Sequence, residues 1–190
     1  LIDLEDGSVL QSDRIDGEDL YAMVDGLTEV VRRDLDVDPS DDLAVTQQTS
    51  SSLEAYQAYL SGVDALNGLN FGEAAKAFEA AVKVDPSFGK AYYKLAISRW
   101  WEGSIENFKG DRHMGTPSDA LKQILDGNAK APRKDRLLAE AFLQLVESRP
   151  AEARPLFEKV VKLYPDEKEA HYGLGEARFH SGLTRDEQMA

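Results

Sequence analysis

Cysteine is missing altogether. That removes a disulfide scaffold, thiolate metal ligation and a cysteine nucleophile, but leaves the compartment open, since a cysteine-free chain suits oxidising and reducing surroundings alike. Histidine is scarce. His113, His171 and His180 do not form the H-E-x-x-H of a zinc protease, and Glu176 with His180, four apart on a helix, amounts to half a metal site. There is no G-x-S-x-G elbow, glycine-rich phosphate loop or paired-carboxylate cleft. These gaps point to a chain that is not an enzyme and needs no cofactor or metal. No apolar run nears the length of a membrane span, and no signal-peptide pattern is present. The chain opens on Leu1, not Met, which reads as a boundary and leaves targeting unspecified. Positive charge is in deficit too. With 22 basic against 35 acidic residues the net charge is −13, so long-range fields repel nucleic acid and anionic lipid and favour basic partners.

What is present suits one or two globular units: 190 residues, 42% hydrophobic and 30% charged. The opening LIDLEDGSVLQSDRI has two short alternating apolar stretches around Asp6-Gly7, the pattern of a hairpin with a two-residue turn. Leu20, Met23, Val24, Leu27, Val30, Val31 and Leu35 then recur at helical spacing, predicting a helix over Glu18–Asp34 with one buried face. Two strands and one helix do not enclose a core, so residues 1–37 read as the end of a larger α/β domain with a sheet edge open to a second copy. Residues 38–52 are polar and aperiodic and read as a linker. Asp34, Asp36 and Asp38 invite a calcium-loop reading, but Pro39 and Val45 stand where such a loop needs Gly and Glu.

From Leu53 on, one pattern recurs. Gly62, Ala74, Phe78, Ala81 and Pro86 have the offsets of a helix-turn-helix repeat: small residues where two helices approach, an aromatic between them and a closing proline. Ser51-x-x-Glu54 is a candidate capping box for its first helix. A second copy starts at Gly89 and closes with Ala120, Ile124, Gly127 and Pro132. Pro132 lies 46 residues after Pro86 where a regular array has 34, so about 12 residues are inserted within 103–117. Thr116-Pro117-Ser118-Asp119 then supplies an N-cap with proline at the first helical place. A third copy carries Leu137, Ala141, Ala153, Phe157, Val160 and Pro165, and Pro155 suggests that its second helix starts near Ala151. His171, Leu174 and Gly175 begin a fourth copy, broken at Ser181-Gly182. Either a short capping helix over Thr184–Ala190 or further repeats would close the array.

These residues resemble the tetratricopeptide repeat family, with repeats at about 55–88, 89–133 (insertion 103–117), 134–167 and an incomplete 168–190. Together with LIDLEDGSVLQSDRIDGEDLYAMVDGLTEVVRRDL, the chain is similar to a bacterial arrangement in which a TolB- or FlgO-like α/β domain precedes such repeats. The resemblance implies attachment to a serine/threonine kinase, an adenylate cyclase or a winged-helix regulator elsewhere in the protein, and an extracytoplasmic setting. The expected fold is mainly α, a superhelix of about three and a half repeats after a partial α/β element.

The concave face of such an array is lined by first helices. By position in each repeat, Tyr56, Tyr59 and Leu66, Lys90, Tyr93 and Trp100, Asp135, Leu138 and Leu145, and Glu169, Tyr172 and Phe179 are expected there. The candidate partner-binding residues are Tyr56, Tyr59, Lys90, Tyr93, Lys94, Trp100, Trp101, Leu138 and Tyr172, aromatics and charges suited to holding a basic or aromatic-rich peptide or protein. Tyr93, Trp100 and Trp101 also read as core beneath the insertion. Chaperone-binding members hold a carboxylate with Lys and Asn at the fifth and ninth positions of the first repeat; here Tyr59 and Val63 stand there. Two other readings stay open: self-assembly, with a homodimer through residues 1–37, and small-ligand sensing under the insertion over Trp100 and Trp101.

Overall fold

The computed structural model describes residues 14, 20–34, 50, 52–105 and 115–182. The chain divides into Leu1–Thr46 and Gln47–Ala190. Of the first unit the described element is helix α1 (Leu20–Asp34), within the helix expected over Glu18–Asp34. The hairpin expected over Leu1–Ile15 lies outside the described residues. So do most of the 38–52 linker, insertion residues 106–114 and the Thr184–Ala190 segment. The apolar stripe of α1 is only partly covered: Met23 and Val30 are half-buried, whereas Val24, Leu27 and Val31, expected on the buried face, are exposed.

The second unit contains seven described helices: α2 (Leu53–Asn67), α3 (Phe71–Val84), α4 (Gly89–Ile105), α5 (Pro117–Leu125), α6 (Arg133–Val146), α7 (Pro150–Leu163) and α8 (Lys168–His180). Each packs on the next, and α2, α4, α6 and α8 also pack in sequence on one another. This two-fold set of neighbours stacks helical hairpins into a superhelix.

Local chemistry explains the helix ends. The N-cap of α2 is Ser52, whose hydroxyl accepts from the Ala55 N–H, so the cap lies one residue beyond the expected Ser51 box. Ser50, placed in the linker by its sequence, is fully buried and donates to Asp85 at 2.6 Å. Burial opposes ionisation of Asp85, but donors from Ser50 and Ser87 hold its carboxyl below the usual range. The turns after α2 and α6 share one geometry. Leu69 and Ser148 take φ of 60° and 59°, and the next N–H reaches back to the Ala65 and Gln144 carbonyls at 2.9 and 2.8 Å, a Schellman closure.

The predicted close approaches are there. Gly62 is buried, and a Cβ on it would lie 2.7 Å from the Phe78 ring. Phe78 and Phe157 are fully buried at equivalent places in the first and third repeats. In the fourth, the glycine pressed on Phe157 is Gly173, where a Cβ would come within 2.3 Å; the expected Gly175 is exposed with nothing within 4 Å. The reason is geometric. α8 meets the preceding α7 through Gly173, whereas Gly175 occupies the register that Gly62 uses toward its own second helix.

The second repeat absorbs its insertion through a strong restart. Thr116 and Asp119 form a reciprocal capping box with Pro117 in the first turn of α5. Gly127 is not a small helical residue as expected. Helix α5 has ended at Leu125, and Gly127 takes φ of +79° in the turn beyond, a conformation glycine adopts at little cost. In the third repeat α7 starts at Pro150, one residue before the expected Ala151. Pro155 therefore sits inside the helix and removes the N–H that would bond the Ala151 carbonyl. No helix among the described residues is long and apolar enough to cross a membrane.

Candidate partner-binding groove

The first helices α2, α4, α6 and α8 bring the expected groove residues together at two levels. At their N-terminal ends lies a polar level. Tyr56 stacks on Tyr59 with ring centroids 6.2 Å apart, and Tyr59 in turn meets Phe88 at 5.0 Å and Phe78 at 5.6 Å. Burial, then the charges of Glu169 and Asp135, push the Tyr59 phenol up to about 12. Lys94 on α4 is ion-paired with Glu169 on α8, and Lys134 on α6 with Glu167 at 2.7 Å. Lys94 is thus engaged within the chain rather than held ready for an acidic ligand.

Tyr93 and Leu138 are core, not surface: both are buried, and the Tyr93 ring packs on Phe142 at 6.1 Å. Burial and then Glu169, which accepts its hydrogen bond, raise the Tyr93 phenol well above its ordinary range. A pattern of repeat positions places these residues on first helices correctly. It does not tell how deep in the stack each one lies.

The second level, toward the C-terminal ends, is aromatic. Trp100 meets Trp101 at 5.1 Å, Phe142 at 5.4 Å and His180 at 6.4 Å. Trp101 meets Phe71 at 5.8 Å and Tyr172 at 6.0 Å. Rings from α4 and α8 therefore touch across α6. Both tryptophans are half-buried, and Trp100 packs against the core cluster. Tyr172 is exposed, its phenol raised by burial of the hydroxyl end and by a hydrogen bond to Glu176. His180 and Glu176 face each other at 3.5 Å. Phe71 and Phe142 escaped the sequence reading, and His180 entered it only beside Glu176. The first two stood in the sequence as helix-face apolar residues, and only proximity shows that they join this cluster.

Asp135 differs from its charged neighbours. It is 8% exposed, and its Oδ2 atom has no hydrogen-bond partner among the described residues. Burial raises its carboxyl, against the pull of Lys90 and Lys134; Glu169 and Glu167 raise it further. An ionised oxygen left in this way costs stability.

The sequence profile of the tetratricopeptide repeat matches residues 59–106 and 138–184, the spans that carry this double layer. The chain belongs to the tetratricopeptide repeat family. No curated protein matches it. Tetratricopeptide repeats generally mediate protein–protein interaction and are typically non-catalytic, and their extended concave surface is what they use. The matched spans include Tyr59, Lys90, Trp100, Leu138 and Tyr172, and residues 107–117 of the insertion fall between them.

Proposed function

We propose that this tetratricopeptide array captures a peptide segment of a partner protein along α2, α4, α6 and α8, and that the segment presents a basic side chain at Asp135. The observation that carries this reading is the unmet Oδ2 of Asp135 beside tyrosines and ion pairs that are already satisfied. Charge-assisted donors form the stronger hydrogen bonds to a carboxylate, and the net charge of −13 favours basic segments at long range. Aromatic rings alongside supply contact area with few rotamers to freeze.

The test is retention of decapeptide pools, randomised except for a central Lys, Arg, Leu or Glu. The Lys and Arg pools should be retained best. Asp135→Asn should weaken that retention by about 30-fold, the equivalent of roughly 2 kcal/mol for truncating one side of a buried charge pair. The same variant should be at least as stable as the wild type at neutral pH. The folded carboxyl is raised, so the stability Asp135 contributes is full below its unfolded value and is lost as pH rises through the folded one; Asn carries no such loss. Preferred retention of the Glu pool, or unchanged retention by Asp135→Asn, would sink the reading.

The resemblance of residues 1–37 extends the proposal to a larger bacterial signalling protein whose kinase or cyclase output lies in other parts. A full-length gene product without such a domain would contradict that extension. A second reading, self-association, is favoured by exposed Val24, Leu27 and Val31 on α1. It expects a dimer in light scattering that Leu27→Glu with Val31→Glu converts to monomer. A wild type that stays monomeric across the concentration range removes it.

A further inference from the structure

Away from the groove, α3, α4 and α5 enclose a cleft of about 360 Å³, within the size range of small-ligand sites. Val82, Leu95 and Ala120 give it apolar walls, and Glu79 and Arg99 stand side by side along it. The guanidinium of Arg99 donates to Glu79 Oε1 at 2.6 Å and to the Thr116 carbonyl at 3.4 Å. Asp119, also on the cleft, accepts from the N–H and the hydroxyl of Thr116. Glu79 is 5% exposed, and its second oxygen, Oε2, has no hydrogen-bond partner among the described residues. The cleft therefore has apolar walls and a lining carboxylate, Glu79, whose buried second oxygen is unpartnered, with Lys83 and Tyr92 also on the lining.

We propose that this cleft is a second binding site, for a primary ammonium on a short aliphatic stem, with Glu79 as its acceptor. The ammonium completes the carboxylate that Arg99 satisfies on one side only, and the methylenes lie on Val82, Leu95 and Ala120, as a lysine stem lies along apolar surface. A neutral hydroxyl of the same length offers a weaker bond to the same oxygen. The ammonium can come from a free aliphatic amine or from a lysine side chain of a partner. The site goes beyond the groove reading and does not depend on it.

The experiment is a titration of the whole chain with cadaverine, with 1,5-pentanediol and with N-acetyl-lysine methylamide, followed by backbone amide shifts. Saturable shifts confined to α3, α4 and α5 are expected with the two amines, with the diol at least about ten-fold weaker. The tighter of the two amines names the source, free amine or lysine side chain. Glu79→Gln keeps a carbonyl oxygen for Arg99 but places an NH2 donor where Oε2 stood, so it should weaken the amines at least about ten-fold. Gln123→Trp, which fills the cleft without touching the Glu79–Arg99 pair, should do the same, so the result does not hang on one variant. Asp135→Asn should leave the titration unchanged, which separates this site from the groove. Equal shifts with the diol, shifts spread over the acidic surface, no shifts, or amine binding that survives both Glu79→Gln and Gln123→Trp would each overturn the proposal.

Discussion

Arg99→Met is expected to lower the stability of the array by about 3–5 kcal/mol, the range for stripping one partner from a buried ion pair. The Arg99 and Glu79 side chains are 12% and 7% exposed and meet at 2.6 Å, so the carboxylate left behind would be buried without a counter-charge. Arg99 also reaches the Thr116 carbonyl, and its loss loosens the start of α5 just where the chain returns from the insertion. In thermal unfolding the midpoint should fall by roughly 10 °C. The companion variant decides the cause. Glu79→Met combined with Arg99→Met removes both charges, and a buried pair replaced by apolar residues is often close to neutral; the double variant should recover most of the loss. If it stays as unstable as the single, packing of the Arg99 stem rather than the orphaned charge is responsible.

Gly89→Ala should cost about 3 kcal/mol, a large effect for one methyl group, at the upper end of overpacking penalties. Gly89 opens α4 where the first repeat meets the second. Its N–H donates to the Lys130 carbonyl at 3.2 Å, the Lys130 N–H donates to Ser87 at 2.8 Å, and Phe88 pairs with Lys130 in a parallel bridge. A Cβ at Gly89 would lie 2.1 Å from the Lys130 oxygen and 2.9 Å from its carbonyl carbon. Those atoms are backbone and cannot rotate aside, so the loop before α6 must move and its two hydrogen bonds weaken together. The control is Gly103→Ala. Gly103 is exposed in α4 with nothing within 4 Å of its would-be Cβ, and alanine there should stabilise the helix by roughly 0.5–1 kcal/mol. Chemical denaturation of both variants reads the contrast directly. Equal stabilities would mean that the Lys130 loop yields freely and that the bridge does not hold the two repeats together.

The Gly89 bridge and the Glu79–Arg99 pair share a property: neither was legible in the sequence. Gly89 was read as the start of a repeat, and neither Glu79 nor Arg99 was singled out. What makes each matter is an atom 20 to 41 residues away along the chain. The N-cap at Thr116, by contrast, was legible because the cap and the N–H it accepts from lie within one helical turn. So were Gly62 with Phe78 and Ala141 with Phe157, since the repeat period ties each small residue to its aromatic at a constant offset. Gly173 marks the limit. The same period marked Gly175, in the register that faces a repeat's own second helix, whereas the contact with the preceding α7 falls on Gly173.

The groove divides along the same line. Its residue types and its placement on first helices followed from the spacing; Tyr56, Tyr59 and Lys90 are half-buried there and Tyr172 is exposed. That Tyr93 and Leu138 are buried, that Lys94 is taken by Glu169, that Trp101 meets Tyr172 across α6 and that Asp135 keeps an unmet oxygen all depend on distances between different repeats. The sequence alone determined the repeat period, the small residues and aromatics it ties together and the Thr116 cap, because these follow from torsional preference and hydrogen bonds within a few residues. Tertiary structure decided which side chains are buried, which charges are paired and where two clefts keep unmet acceptors, because small differences in how each helix pair stacks add up along the array and no local pattern encodes their sum.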